Sequence, residues 1–522
     1  MLAPPAKKRH FLRRMHKGRT MELIKELADI VGATNVQTGA DMAKFTTDWT
    51  HQYHSEPLVV ARPATTQEVS EVMKFAHRTG TAVVPVSGNT GLAGGTFSTG
   101  AVVISLDRMN EIREIRPDAR IAVVEAGVIL SSLHDAADAH GLVFPLTFGA
   151  RGSAMIGGAL STNAGGSNVV RYGSTRGLCL GVEVVLADGR IMDLMTELHK
   201  DNSGYNLRDL FIGAEGTLGL ITGAVVKLFP KPAAYATAMV ATRSLREALV
   251  LLNNLQIATG GLVEAFEYMP GNYVQAHLAR MTGARAPFDQ RHDINIMVEI
   301  AATAAKDCAP ADDGSIPLVN QLQQTLADML ETGAILDAVV AQNETQRAEM
   351  WKRREDAAEV QLDGRPAVHT DIALPTDHVP VFFERMVDVI AKHDPGANDT
   401  CVTHLGDGNI HYSVFPTRDD PAHKDALMER IEDLVQSLGG SFSAEHGIGL
   451  SKKPSMERRK NPVAIEVMRA IKTALDPKGI LNPGKVLPDN ITGSISDGPE
   501  MGRAMAAKLL AQAGEGFFSW RD

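Results

Sequence analysis

The sequence has 522 residues, with 52 Lys+Arg against 62 Asp+Glu, a formal charge of −10. Hydrophobic residues make up 44% and charged residues 22%, which excludes a disordered, collagen-like or disulfide-scaffold chain. The acidic balance argues against a general nucleic-acid binder, and the length calls for two or more domains.

Residues 1–20 hold Lys7, Lys8, Arg9, Arg13, Arg14, Lys17 and Arg19 and no acid. No apolar h-region is present, so a secretory signal is excluded; a disordered basic tail or a Ser-poor transit peptide remain. No stretch approaches the roughly 20 apolar residues of a membrane helix. Cys179, Cys308 and Cys401 lie far apart with no CxxC, which fits a reducing compartment without structural disulfides. The expected location is cytoplasmic or peripheral to a membrane, and mitochondrial if the source is eukaryotic.

From Met21, MELIKELADIVG predicts a helix that stops at Gly32. LVVARP predicts a strand. A helix follows, with Thr65 and Glu68 as a capping box and Gly80 as its C′ residue. TAVVPV is the next strand, which makes a βαβ-like unit. AVVISLD and IAVVEAG are further strands, and CLGVEVVLADGRIM reads as two strands about Asp188-Gly189. Pro230 and Pro232 mark a domain boundary. Beyond them, helices such as SLREALVLLNNL alternate with strands such as INIMVEIA in a second α+β domain, to about residue 444. DPKGILNPGKVLP is loop-like, and a last helix over MGRAMAAKLLAQAG follows a polar linker.

Two glycine-dense loops stand out. PVSGNTGLAGG (85–95) follows a strand, and glycines let backbone N–H groups converge on an anion. It is neither a Rossmann nor a Walker pattern, so a phosphate cradle and a plain glycine turn both stay open. GARGSAMIGGALSTNAGG (149–166) is rich enough in small residues to pack on a planar cofactor or on another loop. KDNSGYNL (200–207), LFIGAEGTLGLIT (210–222) and NPGK (482–485) complete the set.

These segments, in this order, resemble the FAD domain of the vanillyl-alcohol oxidase / p-cresol methylhydroxylase superfamily. Over residues 21–487 the pattern is similar to its D-2-hydroxyacid dehydrogenase branch, which includes D-lactate and D-2-hydroxyglutarate dehydrogenases and the glycolate oxidase flavoprotein subunit. The resemblance implies an α+β fold: a two-part FAD-binding domain (21–232), a substrate or cap domain (233–444), a return to the FAD domain (445–490) and an extension (491–522). It implies that Ser87, Gly88, Asn89, Thr90 and Gly91 hold the FAD pyrophosphate. Ser153, Gly157, Gly158, Thr162, Asn163 and Gly165 are implied on the flavin and adenosine side. Glu215, Gly219, Ile221 and Asn482 complete the contacts. Some members tether FAD through a histidine in the first loop. Asn89 stands in that neighbourhood here, so noncovalent FAD is expected.

In the second domain, THLGDGNIHY (403–412) predicts a hairpin with Gly406–Asn409 as its loop. Leu405 then pairs with Ile410 and His404 with His411, bringing two imidazoles roughly 5 Å apart. SAEHGIG (443–449) offers Glu445 as an oxygen ligand beside His446. His₂Glu suits a catalytic zinc; histidines at a hairpin mouth are the bland alternative. The resemblance favours His404, His411 and Glu445 as ligands of a divalent metal, zinc by the ligand set, with His446 as general base. It also implies Arg354, in MWKRRE (350–355), for the substrate carboxylate, with Arg353 the alternative. His369 in VHTDIALP (368–375) stands where D-2-hydroxyglutarate dehydrogenases often carry lysine. Ala358 and Ser413 also depart from that group's threonine and asparagine. His369 and Ser413 are thus the expected substrate contacts, and a D-lactate-like acid is expected over the dicarboxylate.

The implied reaction is oxidation of a D-2-hydroxy acid to the 2-oxo acid by hydride transfer to flavin. The small 2-hydroxy acid is the substrate partner. The electron acceptor is left open among a quinone, a cytochrome and an electron-transfer flavoprotein. A homodimer also stays open.

Overall fold

The computed structural model describes residues 21–361 and 364–489. The basic stretch 1–20, the polar linker after 489 and the expected last helix lie outside the described residues.

The first helix spans residues 21–31 and buries Leu23, Leu27 and Val31. Gly32, at φ 85°, ends it. The helix Thr66–Thr79 has both of its expected caps: Thr65 accepts from Glu68 N–H, and Gly80 takes the left-handed conformation. The strands before and after it, Val59–Ala61 and Val83–Val86, run parallel. They are not neighbours, because Val102–Ser105 lies between them in a four-stranded sheet. A five-stranded antiparallel sheet follows, built from Ile112–Arg116, Ile121–Glu125, Leu220–Lys227, Cys179–Val185 and Ile191–Leu194, in that spatial order. The expected turn at Asp188-Gly189 joins its last two strands, with Gly189 at φ 85°.

The second half is built on a seven-stranded antiparallel sheet. Its strands run, in spatial order, Asp337–Val340, Ala234–Thr242, Ile294–Ala302, Val263–Pro270, Asn398–His404, Asn409–Phe415 and Val368–Ala373. Most of these strands are buried on both faces, so their sequences run apolar rather than alternating. Helices Leu245–Thr259, Pro317–Glu331, Val379–His393 and Pro421–Ser437 share one core with one face. On the other face, Met239, Met269, Met297 and Val402 pack with helix Gly271–Arg280 and with the segment carrying Met350 and Ala357. That second face turns toward the first half. Arg171 and Tyr172, on the short helix Val169–Tyr172, join the halves by donating to Glu264 at 2.9 and 2.6 Å.

The chain then returns. Ile480 and Leu481 enter the first-half core, and Val83 N–H donates to Ile480 C=O at 2.8 Å. This carries Asn482 beneath the glycine loops. Among the described residues no helix is long and apolar enough to cross a membrane. The three cysteines are free thiols.

Candidate active site

Every expected cofactor residue but one lines a single cavity of about 2550 Å³ between the halves. Arg354, His369, His404, His411, Ser413, Glu445 and His446 line the same cavity. The volume is several times that of a drug-sized pocket, roughly 300–1,000 Å³, which leaves room for a dinucleotide and a small acid together. Asn163 is the exception. It caps helix Ile156–Thr162 in the left-handed conformation, and its Oδ1 accepts from Arg176 N–H, so it does not reach the cavity.

The two glycine loops also pack on each other. A Cβ on Gly88 would sit 2.2 Å from Ser153 C=O, and one on Gly157 would meet the Ala126 side chain at 2.7 Å. Small residues here therefore serve both close loop packing and an open cradle. Asn89 stays in the left-handed region at φ 54°, and its side chain bonds Lys44 C=O, Thr47 C=O and the Thr96 hydroxyl. Glu215 lines the cavity, but its carboxylate accepts Ile448 N–H and Gly449 N–H at 2.7 and 2.8 Å. It thereby anchors the SAEHGIG segment to the first half. Asn482 donates to Gly95 C=O and Glu215 C=O, while its buried Oδ1 has no protein partner. An orphaned acceptor on this wall suits a cofactor N–H, so the residues fit FAD.

The second wall is read from strand alternation. Ile410, Tyr412 and Val414 point into the core, so His411 and Ser413 face the cavity. The expected hairpin register is displaced. His404 pairs with Asn409, and His411 pairs with Val402. The loop is Leu405–Gly408, because His404 C=O accepts N–H from Asp407 and Gly408 and Gly408 takes φ 83°. Asn409 is drawn into the strand by bonds to Asp371 and Ile372 C=O. His404 and His411 are consequently diagonal neighbours on one face, with ring centroids 5.4 Å apart.

Two buried carboxylates organise these rings, and neither was singled out in the sequence. Glu267 pairs across the sheet with His404. It accepts from Arg354 Nε at 2.6 Å and lies 2.8 Å from His404 Nδ1. Burial opposes its ionisation, but His404 and Arg354 outweigh burial and hold it below its ordinary value. Burial likewise opposes protonation of His404, and Glu267 raises its pKa nonetheless. Asp371 pairs directly with His411. It accepts from Lys452 Nζ at 2.9 Å and from the backbone N–H groups of Glu445 and His446. Against burial, Lys452, His446 and His411 hold Asp371 well below the usual carboxylate range.

His446 stacks on His411 at 5.5 Å and lies 3.4 Å from Asp371 through Nδ1. Burial lowers the pKa of both rings, His411 strongly, so both are neutral near pH 7. Burial raises Glu445 to about 7. Gly165 permits this arrangement, since a Cβ there would lie 2.4 Å from Glu445 Oε1. Ligating atoms of Asp371, His411, Glu445 and His446 all lie within 4.8 Å of one another. The expected trio shares His411 and Glu445 with this group. His404 stands to the side, with Arg354 Nη2 3.2 Å from its Nε2. The His411 imidazole and the Glu445 carboxylate, with the carboxylate-braced His404 beside them, are nitrogen and oxygen donors of the kind that fits a divalent cation, while Asp371 is occupied by Lys452, Asn409 and backbone N–H groups.

Helix Glu344–Glu355 decides between the two arginines. Arg354 lines the cavity, whereas Arg353 is buried and donates to Arg285 C=O. Lys352 is spent on Asp356. His369 pairs with Ser413, Nδ1 to Oγ 2.8 Å, and Ala358 lines the cavity. Gln361 and Arg365, on the same wall, also escaped the sequence.

Comparison with known proteins agrees with this architecture. Residues 57–195 match the family described as FAD binding domain, and residues 231–486 match FAD linked oxidases, C-terminal domain. The structure aligns with p-cresol methylhydroxylase at TM-score 0.68 and 16% identity, covering 91% of this chain and 98% of that one. It aligns with alkyldihydroxyacetonephosphate synthase at TM-score 0.65 and 18% identity, covering 89% and 84%. These likenesses establish the fold as that of the p-cresol methylhydroxylase-type flavoenzymes. In sequence, the mitochondrial D-2-hydroxyglutarate dehydrogenase of Arabidopsis thaliana is 34% identical over 89% of this chain and 81% of its own. The D-2-hydroxyglutarate dehydrogenase of Stutzerimonas stutzeri is 33% identical over 89% and 98%. A putative mitochondrial D-lactate dehydrogenase of Schizosaccharomyces pombe is 33% identical over 85% of each. The chain belongs to the FAD-linked D-2-hydroxyacid dehydrogenases, oxidoreductases acting on CH–OH groups.

Proposed function

We propose that this enzyme oxidises short D-2-hydroxy monocarboxylates such as D-lactate in preference to D-2-hydroxyglutarate, with noncovalent FAD and a divalent metal, zinc by its ligands. The observation that carries this is the wall on which Arg354, His404, His411, Glu445 and His446 converge, facing the glycine-loop cradle. Arginine has five N–H donors, and Arg354 spends Nε on Glu267, so donors remain for a substrate carboxylate. His446 is neutral, braced by Asp371 at Nδ1, and takes the hydroxyl proton as general base. His404, His411 and Glu445 would hold the metal, which lowers the pKa of an oxygen ligand when bound. FAD, when bound, supplies the hydride acceptor. An anaerobic screen of D- and L-2-hydroxy acids for flavin bleaching tests the reaction. Bleaching by L-acids alone would overturn it.

Two expected results belong here. Acid or heat denaturation releases intact FAD to the supernatant, because Asn89 offers no tethering nucleophile and its amide is already bonded. Flavin retained on the precipitate would show a covalent link. His369→Lys shifts the kcat/KM ratio toward D-2-hydroxyglutarate by about tenfold or more, the worth of one hydrogen bond to a charged group. An unchanged ratio would mean that residue 369 does not meet the distal carboxylate.

A second reading, dicarboxylate oxidation, is favoured by Arg365, which lines the cavity with its guanidinium 3.9 Å over the Phe415 ring. A flavoprotein subunit that works only with partner chains, as in glycolate oxidase, is the third. Dye-linked activity of the isolated chain separates it from the others.

A further inference from the structure

Strand Asn409–Phe415 measures distance along the substrate side of the cavity. Positions two residues apart share a face at intervals of roughly 7 Å. His411 marks the reacting end, Ser413 the next level, and Phe415 with Arg365 a third, roughly 14 Å from the first. At the Ser413 level the polar groups form a chain. Ser413 Oγ meets His369 Nδ1 at 2.8 Å and donates to Gln361 Oε1 at 3.4 Å. Gln361 is only 8% exposed and lines the cavity, yet its Nε2 has no hydrogen-bond partner. A buried amide donor left unpaired is a cost that a ligand acceptor removes.

We infer that Gln361 Nε2 reads a neutral acceptor, a hydroxyl or amide oxygen, on C4 or C5 of a D-2-hydroxy monocarboxylate, and so sets substrate choice at the distal end. This rests on the function proposed above. Size supports it: carbon–carbon bonds of about 1.5 Å put C5 about 4 Å beyond C2. A C5 substituent therefore reaches the Ser413 level and falls short of Arg365. Charge supports it as well. A second carboxylate demands a lysine or arginine. Arg354 is assigned to the reacting carboxylate, and Arg365 is stacked at the third level.

The test compares kcat/KM for D-2,5-dihydroxypentanoate, D-2-hydroxypentanoate, D-2-hydroxyglutarate and D-lactate, using the FAD-loaded, metal-loaded enzyme. The expected result is a preference of roughly tenfold for the dihydroxy acid over its apolar isostere, the worth of one neutral hydrogen bond. Gln361→Leu and the unbranched Gln361→Met both bring that ratio close to one, while Arg365→Ala keeps it. A ratio unchanged in both Gln361 variants, or a wild type that prefers D-2-hydroxyglutarate to the dihydroxy acid, overturns the inference. Bleaching by D-lactate with no such ratio overturns this inference alone. No bleaching by any of the four acids overturns the proposed function with it.

Discussion

His411→Ala loses its metal and at least about a hundredfold in kcat/KM yet keeps FAD, whereas His446→Ala keeps metal and FAD and loses turnover. The two rings stack on each other, so geometry alone does not separate their roles. Their neighbours do. His411 lies between the His404 ring at 5.4 Å and Glu445, whose Oε2 is 3.6 Å from His411 Nε2. Burial strips its proton, and a neutral imidazole between a second imidazole and a carboxylate suits the proposed ligand role. His446 has Nδ1 turned to Asp371, the arrangement that orients a proton acceptor. Loss of a general base costs about 100- to 10,000-fold in kcat. The FAD cradle lies on other segments, so both variants stay yellow. Linkage adds a check on the metal-free protein. His411 titrates below 6.5 when folded, so the unfolded chain takes up its proton first. Stability from this group is complete above pH 6.5 and falls as the pH drops below it. His411→Ala flattens that slope in a Tm-against-pH series. Full metal in His411→Ala, or equal metal loss in both variants, would reverse the assignment.

What the sequence disclosed depended on the range of each interaction. The caps of helix Thr66–Thr79 are local, and Thr65, Glu68 and Gly80 are enough to specify them. The two histidines of the hairpin were legible, but their register was not. Whether Asn409 belongs to loop or strand is decided by its bonds to Asp371 and Ile372, 38 and 37 residues away. Glu267 and Asp371 were missed for the same reason. Glu267 meets His404 across 137 residues, and Asp371 meets Lys452 across 81. A signal existed for both. Glu267 is an acid inside the apolar run VEAFEYMP, and Asp371 follows His369 by the two-residue step that shares a strand face. An acid in a strand buried on both sides needs a buried partner. The glycine loops show the opposite limit. Gly88 against Ser153 and Gly165 against Glu445 satisfy loop packing and cofactor cradle together, so composition had no means of choosing between them.

Glu267→Leu destabilises the protein by about 3–5 kcal/mol, and the added change Arg354→Met restores most of that stability while leaving the enzyme inactive. Glu267 is 1% exposed and Arg354 9%, and their bond is 2.6 Å. Removing only the acid strands a buried guanidinium and takes the brace from His404 Nδ1. Removing both charges trades the pair for apolar packing, which is often neutral in a core. Stability then recovers, but the guanidinium proposed to hold the substrate carboxylate is gone. Equilibrium denaturation of wild type, single and double variants separates these contributions, and dye-linked turnover of the same set reports the loss of activity. The pH dependence has a definite sign. Glu267 is held below its ordinary value near 4.5, so its contribution is present above that pH and fades as the pH falls through the lowered value. Glu267→Leu therefore loses its disadvantage in strong acid. A single variant as stable as wild type at neutral pH would mean that Glu445, whose charge already acts on Arg354 and His404, takes over both partners.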